Sequence, residues 1–410
     1  MQTHFTEEDL KKPHIREADR VLRTCVHCGF CNATCPTYQL LGDERDGPRG
    51  RIYLMKEMLE APEGADKVTE ETRLHLDRCL TCRNCETTCP SGVEYHKLLD
   101  IGRAEIERRV PRKPAERAQR YVLRKMLVEP KRFQTLLKLG QTFKPLVPGA
   151  LRDKMPPAPV DAGQRPDGRQ HARQMLILEG CVQPGLSPNT NAATARVLDR
   201  LGIGLTPVAE AGCCGAVDFH MNAQDDGRAR ARANIDAWWP HLEAGAEAIV
   251  QTASGCGAFV KEYVDILKDD PAYAEKAARV SELAKDLVEV LRDEALDDLS
   301  VKQGRRLAFH CPCTLQHAQK LGGAVEGVLT RLGFALTPVA DAHLCCGSAG
   351  TYSITQPELS KQLRDNKLDN LEAGNPEVIV TANIGCQTHL NGANRTPVRH
   401  WIEIVEEALS

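Results

Sequence analysis

The stretch "CVHCGFCNATCP", Cys25–Pro36, carries four cysteines within eleven positions and ends on proline. The arrangement returns in "CLTCRNCETTCP", Cys79–Pro90, where each cysteine lies 54 positions after its counterpart. Thiolates are metal ligands, and three of them at steps of three can reach one small site from a single tight loop. The small residues Gly29, Ala33 and Thr34 suit a backbone that closes on such a site. The two runs therefore predict two metal centres.

The composition is that of an ordinary globular protein. The chain has 410 residues, 42% hydrophobic and 27% charged, with a net charge of −3. This size predicts two or three domains, and the charge does not favour nucleic acid as a partner. No apolar run approaches the roughly 18 residues of a membrane span, and "MQTHFTEEDLKKPH" at the start lacks the apolar core of a signal peptide. We therefore expect a cytoplasmic protein, in which 17 cysteines favour metal ligation over disulfides.

The spacing C-x2-C-x2-C-x3-C-P in both runs resembles that of bacterial two-cluster ferredoxins, which implies two [4Fe-4S] clusters. In those ferredoxins the fourth cysteine of each run serves the other cluster. The resemblance thus implies one cluster on four residues: Cys25, Cys28, Cys31 and Cys89. It implies the second cluster on four others: Cys79, Cys82, Cys85 and Cys35. The alternative is a pair of zinc sites, although zinc usually takes C-x2-C pairs separated by longer loops.

The insert between the runs predicts helices. In "GPRGRIYLMKEMLE", residues 47–60, apolar residues recur at steps of three and four, and "TRLHLDRCLTC", residues 72–82, has a helical pattern too. The cluster domain thus resembles the α-helical ferredoxin domain of succinate dehydrogenase and fumarate reductase iron–sulfur subunits. Arg49 and Arg51 fit a structural role at the helix start, or alternatively a contact that tunes a cluster or meets a partner.

Two segments follow the second run. Residues 101–132 contain eleven Lys or Arg against four Glu, which fits a solvated helical face or a surface for an acidic partner or anionic lipid. Residues 140–172 are rich in Pro and Gly and predict a linker. We expect an α-helical cluster domain with a basic helical extension at 1–139, the linker at 140–172, and further domains at 173–303 and 304–410.

The other nine cysteines are ordered as a second internal repeat, with Cys311 as the one thiol that has no counterpart. The first copy has "EGCVQP", "AGCCGA" and "ASGCGA", and the second has "HCPCTL", "HLCCGS" and "NIGCQT". The candidate ligands are, in order of sequence, Cys181, Cys213, Cys214 and Cys256 in the first copy and Cys313, Cys345, Cys346 and Cys386 in the second.

Each copy alternates strand and helix patterns, which predicts two small α/β domains with parallel sheets. "RQMLILEG", "IGLTPVAE" and "EAIVQTAS" are the predicted strands of the first copy, and "RRLAFH", "FALTPVAD" and "EVIVTANI" are those of the second. The helices between them should end at Gly202 and Gly333. The cysteines follow the strands, at the edge where open α/β sheets bind ligands, and Gly215 and Gly347 would allow close approach of the backbone.

The repeat resembles the cysteine-rich "CCG" domain of heterodisulfide reductases and of several flavoprotein oxidase partners. That family's motif ends in C-x2-C, whereas Ala253 and Asn383 replace the earlier cysteine here. Four thiols per copy suffice for one iron–sulfur cluster, a redox-active thiol site or zinc, or they are reduced structural thiols. His310, His317 and His343 lie near these motifs as further ligands or proton shuttles, or as ordinary packed or exposed histidines.

Over nearly its whole length the chain resembles the iron–sulfur subunits of glycolate oxidase (glycolate dehydrogenase). The resemblance implies a complex in which two FAD-binding subunits oxidise glycolate to glyoxylate. This chain would pass the electrons toward membrane quinone, at the cytoplasmic face of the inner membrane. No G-x-G-x-x-G loop predicts a nucleotide site in the chain itself. The alternatives are a thiol–disulfide subunit like that of heterodisulfide reductase, or the iron–sulfur subunit of a lactate or glycerol-3-phosphate dehydrogenase.

Overall fold

The computed structural model describes residues 1–62, 64–65, 68–143, 158–296, 299, 301 and 305–409. The chain forms two compact units. The first comprises Met1–Tyr121 together with His343–Lys367, and the second comprises Val122–Ala342 together with Leu368–Ser410. The predicted linker at 140–172 lies partly outside the described residues, and so does the predicted domain boundary at 303. The domain boundaries therefore stay a prediction.

The first 142 residues form helices, as predicted for the cluster domain. These helices are Glu7–Leu10, Pro13–Thr24, Phe30–Ala33, Pro36–Leu41, Pro48–Glu60, Glu70–Asp77, Asn84–Thr87, Tyr95–Arg109, Pro114–Leu127 and Pro130–Thr142, with a 3-10 turn at Glu44–Asp46. Proline opens several of them, where its missing N–H costs no hydrogen bond. The predicted helix at 47–60 is confirmed, and the one predicted at 72–82 ends at Asp77, before the cysteines begin.

Buried apolar faces of the helices between Pro13 and Arg109 make the core of the first unit. Leu22, Met55, Leu76, Leu98 and Ile106 are completely or almost completely buried there. Gly102 lets two helices cross closely, because a Cβ atom at that position would lie 2.5 Å from the Met55 sulfur. The cysteine runs lie at the ends of these helices, so the helical packing positions the thiols.

The second unit contains two four-stranded parallel sheets of the same topology. The first sheet has the order β2-β1-β3-β4 and the second has the order β6-β5-β7-β8. The strands are β1 Arg173–Ile177, β2 Ile203–Pro207, β3 Ile249–Gln251, β4 Ala284–Asp286, β5 Arg306–His310, β6 Ala335–Leu336, β7 Val378–Thr381 and β8 Val398–His400. The two sheets share one apolar core, in which Leu307 and Trp401 are fully buried. The predicted duplication is thus a duplication of fold.

Helices connect and cover the strands. They are Gln183–Leu186, Pro188–Arg200, Ala216–His220, Gln224–Glu243, Ser254–Lys261, Tyr263–Ile266, Ala274–Leu283, Leu287–Asp293, Ala324–Arg331, Tyr352–Thr355, Pro357–Glu372, Ile384–Asn391 and Trp401–Ala408, with a π-helical turn at Thr314–Ala318 and a 3-10 turn at Gly168–Gln170. Gly202 and Gly333 follow two of these helices with φ of +72° and +87°, as their predicted role as helix ends requires.

The α/β fold class, with a helical cluster domain and two α/β copies, is confirmed. Within the described parts of the chain, no helix combines the length and the apolar character that crossing a bilayer requires.

Candidate metal centres

The first and second cysteine runs fold as a related pair. Gly29 and Arg83 occupy corresponding positions and both have left-handed backbone, with φ of +87° and +59°; His27 and Thr81 are left-handed as well. Alternating right- and left-handed residues turn successive N–H groups toward one point, which creates a concave site for negative charge. Such a loop suits a cluster whose sulfurs accept hydrogen bonds. The predicted role of Gly29 in closing the backbone agrees with this geometry.

The two runs pack against each other through equivalent residues. The hydroxyls of Thr34 and Thr88 lie 3.0 Å apart, and the Asn84 amide donates to the Thr34 carbonyl at 2.9 Å. Each of these threonines directly precedes the fourth cysteine of its run. The pairing therefore carries Cys35 and Cys89 to the junction between the runs.

Cys89 lies with the first three thiols of the first run. Burial raises the pKa of Cys31 to about 12, and the charges of Cys25, Cys89 and Cys28 add to the effect. Burial also raises the pKa of Cys25, where Cys89 and Cys28 again contribute. Cys28 is exposed, so this group is open to solvent on one side.

Cys35 lies with the second run. It lines one cavity with Cys79, Cys82 and Cys85, and the cavity encloses about 380 Å3 including its open mouth. Burial raises the pKa of Cys85 well above its ordinary value, and Cys82 and Cys79 contribute. The structure thus brings together the two crossed sets of thiols, while their assignment as ligands stays a prediction.

The donor chemistry fits iron–sulfur clusters. Crowded, buried thiols resist ionisation because each thiolate repels the next. A cationic iron core would relieve that repulsion and take the thiolate form. Two neutral donors contact one sulfur of the second group: the Tyr95 hydroxyl donates to Cys79 Sγ at 3.7 Å, and the Thr81 amide donates to the same sulfur at 3.5 Å.

Two arginines that the sequence singled out lie in different surroundings. Arg49 is partly exposed, and its Nε donates to Glu44 at 2.6 Å. Arg51 is 1% exposed; its Nε donates to the His75 carbonyl at 2.7 Å, and its Nη1 lies 4.0 Å from Cys35 Sγ. Only Arg51 of the pair is a buried neighbour of a cysteine sulfur.

Sequence reasoning missed several residues around the second group. The Arg103 guanidinium donates to the carbonyls of Leu76 and Cys79, at 3.0 and 2.7 Å, which holds the start of the second run. Tyr95 and Arg103 both lie on the helix that follows the run, Tyr95–Arg109, and their spacing of eight residues places them on one helical face. That spacing was the available signal.

In the first cysteine-rich copy, the structure brings all four candidate thiols together. Cys181 follows β1, Cys213 and Cys214 follow β2, and Cys256 follows β3. The side chain of Cys213 hydrogen-bonds with those of Cys181 and Cys214. The side chain of Cys214 also hydrogen-bonds with that of Cys256. Hydrogen bonds from Cys181 and Cys214 hold the pKa of Cys213 well below its usual range.

Backbone contacts support this site. Tyr263 donates to the Cys214 carbonyl at 2.6 Å, and Asn234 donates to the Cys213 carbonyl at 3.0 Å. A Cβ atom on Gly215, whose φ is +100°, would lie 2.8 Å from the Gly227 carbonyl oxygen. The predicted close approach of the backbone at Gly215 is therefore present.

The second copy differs. Cys313 and Cys386 belong to the second compact unit, whereas Cys345 and Cys346 belong to the first. Cys386 Sγ accepts from the Asn383 amide at 3.4 Å, so the residue that replaces the family's extra cysteine contacts a thiol. Cys345 Sγ accepts from the Gly347 N–H at 3.4 Å. All four thiols are buried.

The remaining candidates lie in different parts of the fold, and their roles stay a prediction. Cys311 is buried in the apolar core of the second unit, which suits a thiol without a counterpart. His310 is buried at the end of β5 and His317 is buried in the π-helical turn. The His343 carbonyl accepts from the Asn84 amide at 3.1 Å, within the first unit.

Comparisons with known proteins agree with this arrangement. The family model described as "4Fe-4S dicluster domain" matches residues 21–93, and the model described as "Cysteine-rich domain" matches residues 175–261 and 307–391. Both sets of boundaries enclose the cysteine motifs described above.

Curated relatives extend over the whole chain. The "Glycolate oxidase iron-sulfur subunit" of Escherichia coli (strain K12) is 65% identical, covering 100% of this chain and 99% of that protein. The "Probable glycolate oxidase iron-sulfur subunit" of Bacillus subtilis (strain 168) is 31% identical, covering 93% and 92%. "Lactate utilization protein A" of Exiguobacterium sp. (strain ATCC BAA-1283 / AT1b) is 26% identical over 56% of this chain and 95% of that protein. The chain therefore belongs to the family of glycolate oxidase iron–sulfur subunits.

Proposed function

We propose that this chain is the electron-transfer subunit of a glycolate oxidase complex. The observation that carries the proposal is the crossed pairing of two cysteine runs into two groups of four thiols, in a chain of this family. Each group would hold one [4Fe-4S] cluster, which when bound accepts and gives up one electron at a time. The first group would use Cys25, Cys28, Cys31 and Cys89, and the second would use Cys79, Cys82, Cys85 and Cys35.

The chain's own residues would position these clusters and shield them. Tyr95 donates to Cys79 Sγ, and Arg103 fixes the carbonyls of Leu76 and Cys79. Such contacts to ligands set their orientation and electron density. Cys35, Cys79 and Cys85 are buried, whereas Cys28 is exposed. The second cluster would therefore be the more shielded from water.

Substrate chemistry would take place on partner subunits. Oxidation of a 2-hydroxy acid removes two electrons, and a flavin can accept two electrons and release them singly. We therefore propose FAD-binding subunits as electron donors, glycolate as the substrate that becomes glyoxylate, and membrane quinone as the acceptor.

Reduction by glycolate tests the function. The chain would be purified anaerobically with its partner subunits and mixed with glycolate, and its clusters would be followed by EPR. Reduced-cluster signals should develop with glycolate. A matched complex carrying Cys82→Ser should lose the signal of the second group. Zinc in place of iron and sulfide, or clusters that glycolate leaves oxidised in an active complex, would overturn the proposal.

Lactate is the alternative substrate that an observation favours, because the chain also has relatives named for lactate utilization. These relatives match only about half of this chain, at 26% and 30% identity. The same EPR experiment with lactate as the reductant separates the two, since the preferred substrate should reduce the clusters faster at equal concentration. A heterodisulfide-reductase-like role predicts turnover of a disulfide by the chain without flavoprotein subunits.

The first cysteine-rich copy would hold a third metal centre on Cys181, Cys213, Cys214 and Cys256. Four adjoining thiols, one of which ionises easily, match the ligand set of an iron–sulfur cluster or of zinc. We expect Cys213→Ser in the full chain to remove about four iron atoms relative to the parent protein if the group is a [4Fe-4S] cluster. Loss of one zinc atom in place of iron would show that this group binds zinc. The equivalent set in the second copy, Cys313, Cys345, Cys346 and Cys386, remains a predicted site.

The helix Pro130–Thr142 offers a surface for peripheral attachment to a membrane. Leu136, Leu139 and Phe143 are exposed at a spacing that places them on one face, and Lys131, Arg132 and Lys138 are the charged residues of the helix. An apolar face with cationic flanks fits anionic lipid headgroups. We expect co-sedimentation with anionic vesicles that weakens in Leu136→Asp and is absent with zwitterionic vesicles. Equal binding by parent and variant would exclude this surface.

A further inference from the structure

Arg51 is a buried cation held beside the second cysteine group. Its side chain is 1% exposed, and its Nη1 lies 4.0 Å from Cys35 Sγ. Both Nη atoms lie 3.2 Å from the Thr37 hydroxyl, and Nε donates to the His75 carbonyl. The guanidinium is therefore fixed by several contacts, and arginine keeps its charge in proteins.

The nearby carboxylate balances this charge only in part. Arg51 Nη2 lies 3.4 Å from Asp46 Oδ1, but Asp46 also accepts from Arg78 at 2.8 Å and contacts His75 at 2.9 Å. Two guanidinium groups thus share one buried carboxylate. A second carboxylate, that of Asp43, lies within 4.8 Å of Asp46 and His75, but it is paired with Arg45.

Arg49 is a natural comparison two residues away. Its guanidinium lies against Gly29 of the first run, but it is 35% exposed and is paired with its own carboxylate, Glu44. Water and a dedicated counter-charge screen such a cation. The structure therefore places a buried and only partly balanced cation near the second group, and a partly exposed cation with its own carboxylate near the first.

Reduction adds one negative charge to a cluster, so a nearby fixed cation favours the reduced form, and it does so most strongly where water is excluded. Burial of the second group has the opposite effect, because it disfavours added charge. We propose that Arg51 raises the reduction potential of the cluster held by Cys35, Cys79, Cys82 and Cys85. This inference rests on the proposed function, in that the cysteines must hold a cluster.

The role of Arg51 is then that of a positioning and potential-setting residue. Arg51 interacts electrostatically with Cys79 of the second run and with Cys35 of the first, whose sulfur lies 4.0 Å from Nη1, so its charge acts on sulfurs that both runs contribute to the second group. Arg51 lies in the first turn of the helix Pro48–Glu60, on the buried side of the helix. Its side chain therefore packs inside the domain and also lies next to the second cysteine group.

Redox titration of variants tests the inference. Full-length Arg51→Gln, Arg51→Lys and Arg49→Gln would be reconstituted anaerobically, and each reduced cluster would be followed by EPR against potential. The signal that Cys82→Ser removes identifies the second cluster. We expect Arg51→Gln to lower the equilibrium constant for one-electron reduction of the second cluster at least about tenfold, which corresponds to a potential lower by 59 mV. Arg51→Lys should retain most of the potential, and Arg49→Gln should leave that cluster unchanged.

Asp46→Asn gives a second test with the opposite sign, because it removes the carboxylate that partly balances Arg51. The second cluster of Asp46→Asn should have a higher reduction potential than the second cluster of the parent. This measurement still tests the inference if Arg51→Gln does not fold. No shift in the folded variants, or equal shifts in Arg51→Gln and Arg51→Lys, would overturn the inference and indicate a structural role. Absence of any cluster from the parent protein would instead defeat the proposed function.

Discussion

Replacement of Cys35 by serine tests which cluster the last thiol of the first run serves. In the structure Cys35 lines the cavity of Cys79, Cys82 and Cys85, 44 or more residues away in sequence. Each group holds four of the eight thiols, so loss of one cluster should remove half of the iron of this domain, about four atoms per chain. The hydroxyl of the new serine keeps a neighbour, because Cys35 Sγ lies 3.3 Å from the Thr37 hydroxyl. The fold should therefore tolerate the change.

The assay compares EPR spectra of anaerobically reconstituted, dithionite-reduced full-length variants, together with iron and sulfide per chain. Cys82→Ser and Cys28→Ser serve as references, since each removes a thiol that belongs to one group under either assignment. We expect the Cys35→Ser spectrum to match that of Cys82→Ser.

The reciprocal variant, Cys89→Ser, should match Cys28→Ser. A Cys35→Ser spectrum that matches Cys28→Ser would show that each run binds its own cluster. That result would refute the crossed assignment.

Three further changes probe the backbone and the second unit. Gly29→Ala should lower the free energy of unfolding by about 1–2 kcal/mol, because residue 29 has a left-handed backbone. The new Cβ would also be crowded, since it would lie 2.5 Å from Arg49 Nη1. Thermal unfolding measures the effect, and Gly42→Ala is the control, because residue 42 is left-handed but has open space around it. Burial raises the pKa of Asp286 from 3.8 to about 7. As the pH rises from 4 to 7, Asp286 therefore ionises in the unfolded chain before it does so in the folded protein, and the parent should lose roughly 4 kcal/mol of stability. Asp286→Asn should abolish that loss in urea unfolding at each pH. Burial lowers the pKa of His400 from 6.5 to about 4, so the parent should lose roughly 3 kcal/mol as the pH falls through that range, and His400→Asn should abolish this second loss. Between pH 4 and 6.5 the two effects oppose each other in the parent, so pH slopes of the same sign in the two variants would contradict the reasoning.

The α/β architecture could be predicted because its signals are local. Short apolar runs such as "RQMLILEG", bounded by glycine, fit interior strands between helices, and the glycines at 202 and 333 end the helices before them. The fourth strands, Ala284–Asp286 and Val398–His400, could not be predicted in this way. They have three residues each, and their sequences are partly polar. Only pairing with β3 and β7 makes them strands.

The sequence predicts candidate ligands for the site but not the residues that surround them. Regular spacing carries the information about thiols, because each loop must present them in a fixed geometry. The neighbours that hold the loops come from distant segments. Tyr352, for example, donates to the Arg78 carbonyl at 3.2 Å from 274 positions away. No sequence pattern in either of the two segments predicts the contact between Tyr352 and Arg78.

The repeat in sequence also conceals an asymmetry with functional consequences. Two runs of identical spacing predict two equivalent clusters, yet Gly29 in one run corresponds to Arg83 in the other, and the exposed Cys28 corresponds to Cys82, which lines a cavity. The insert that separates the runs supplies Arg51 and Asp46, which lie beside the second group. Two clusters in different electrostatic surroundings have different potentials. If the two groups hold clusters as proposed, this difference would favour one direction of transfer between them, and the residues outside the repeat, rather than the cysteines, would determine that direction.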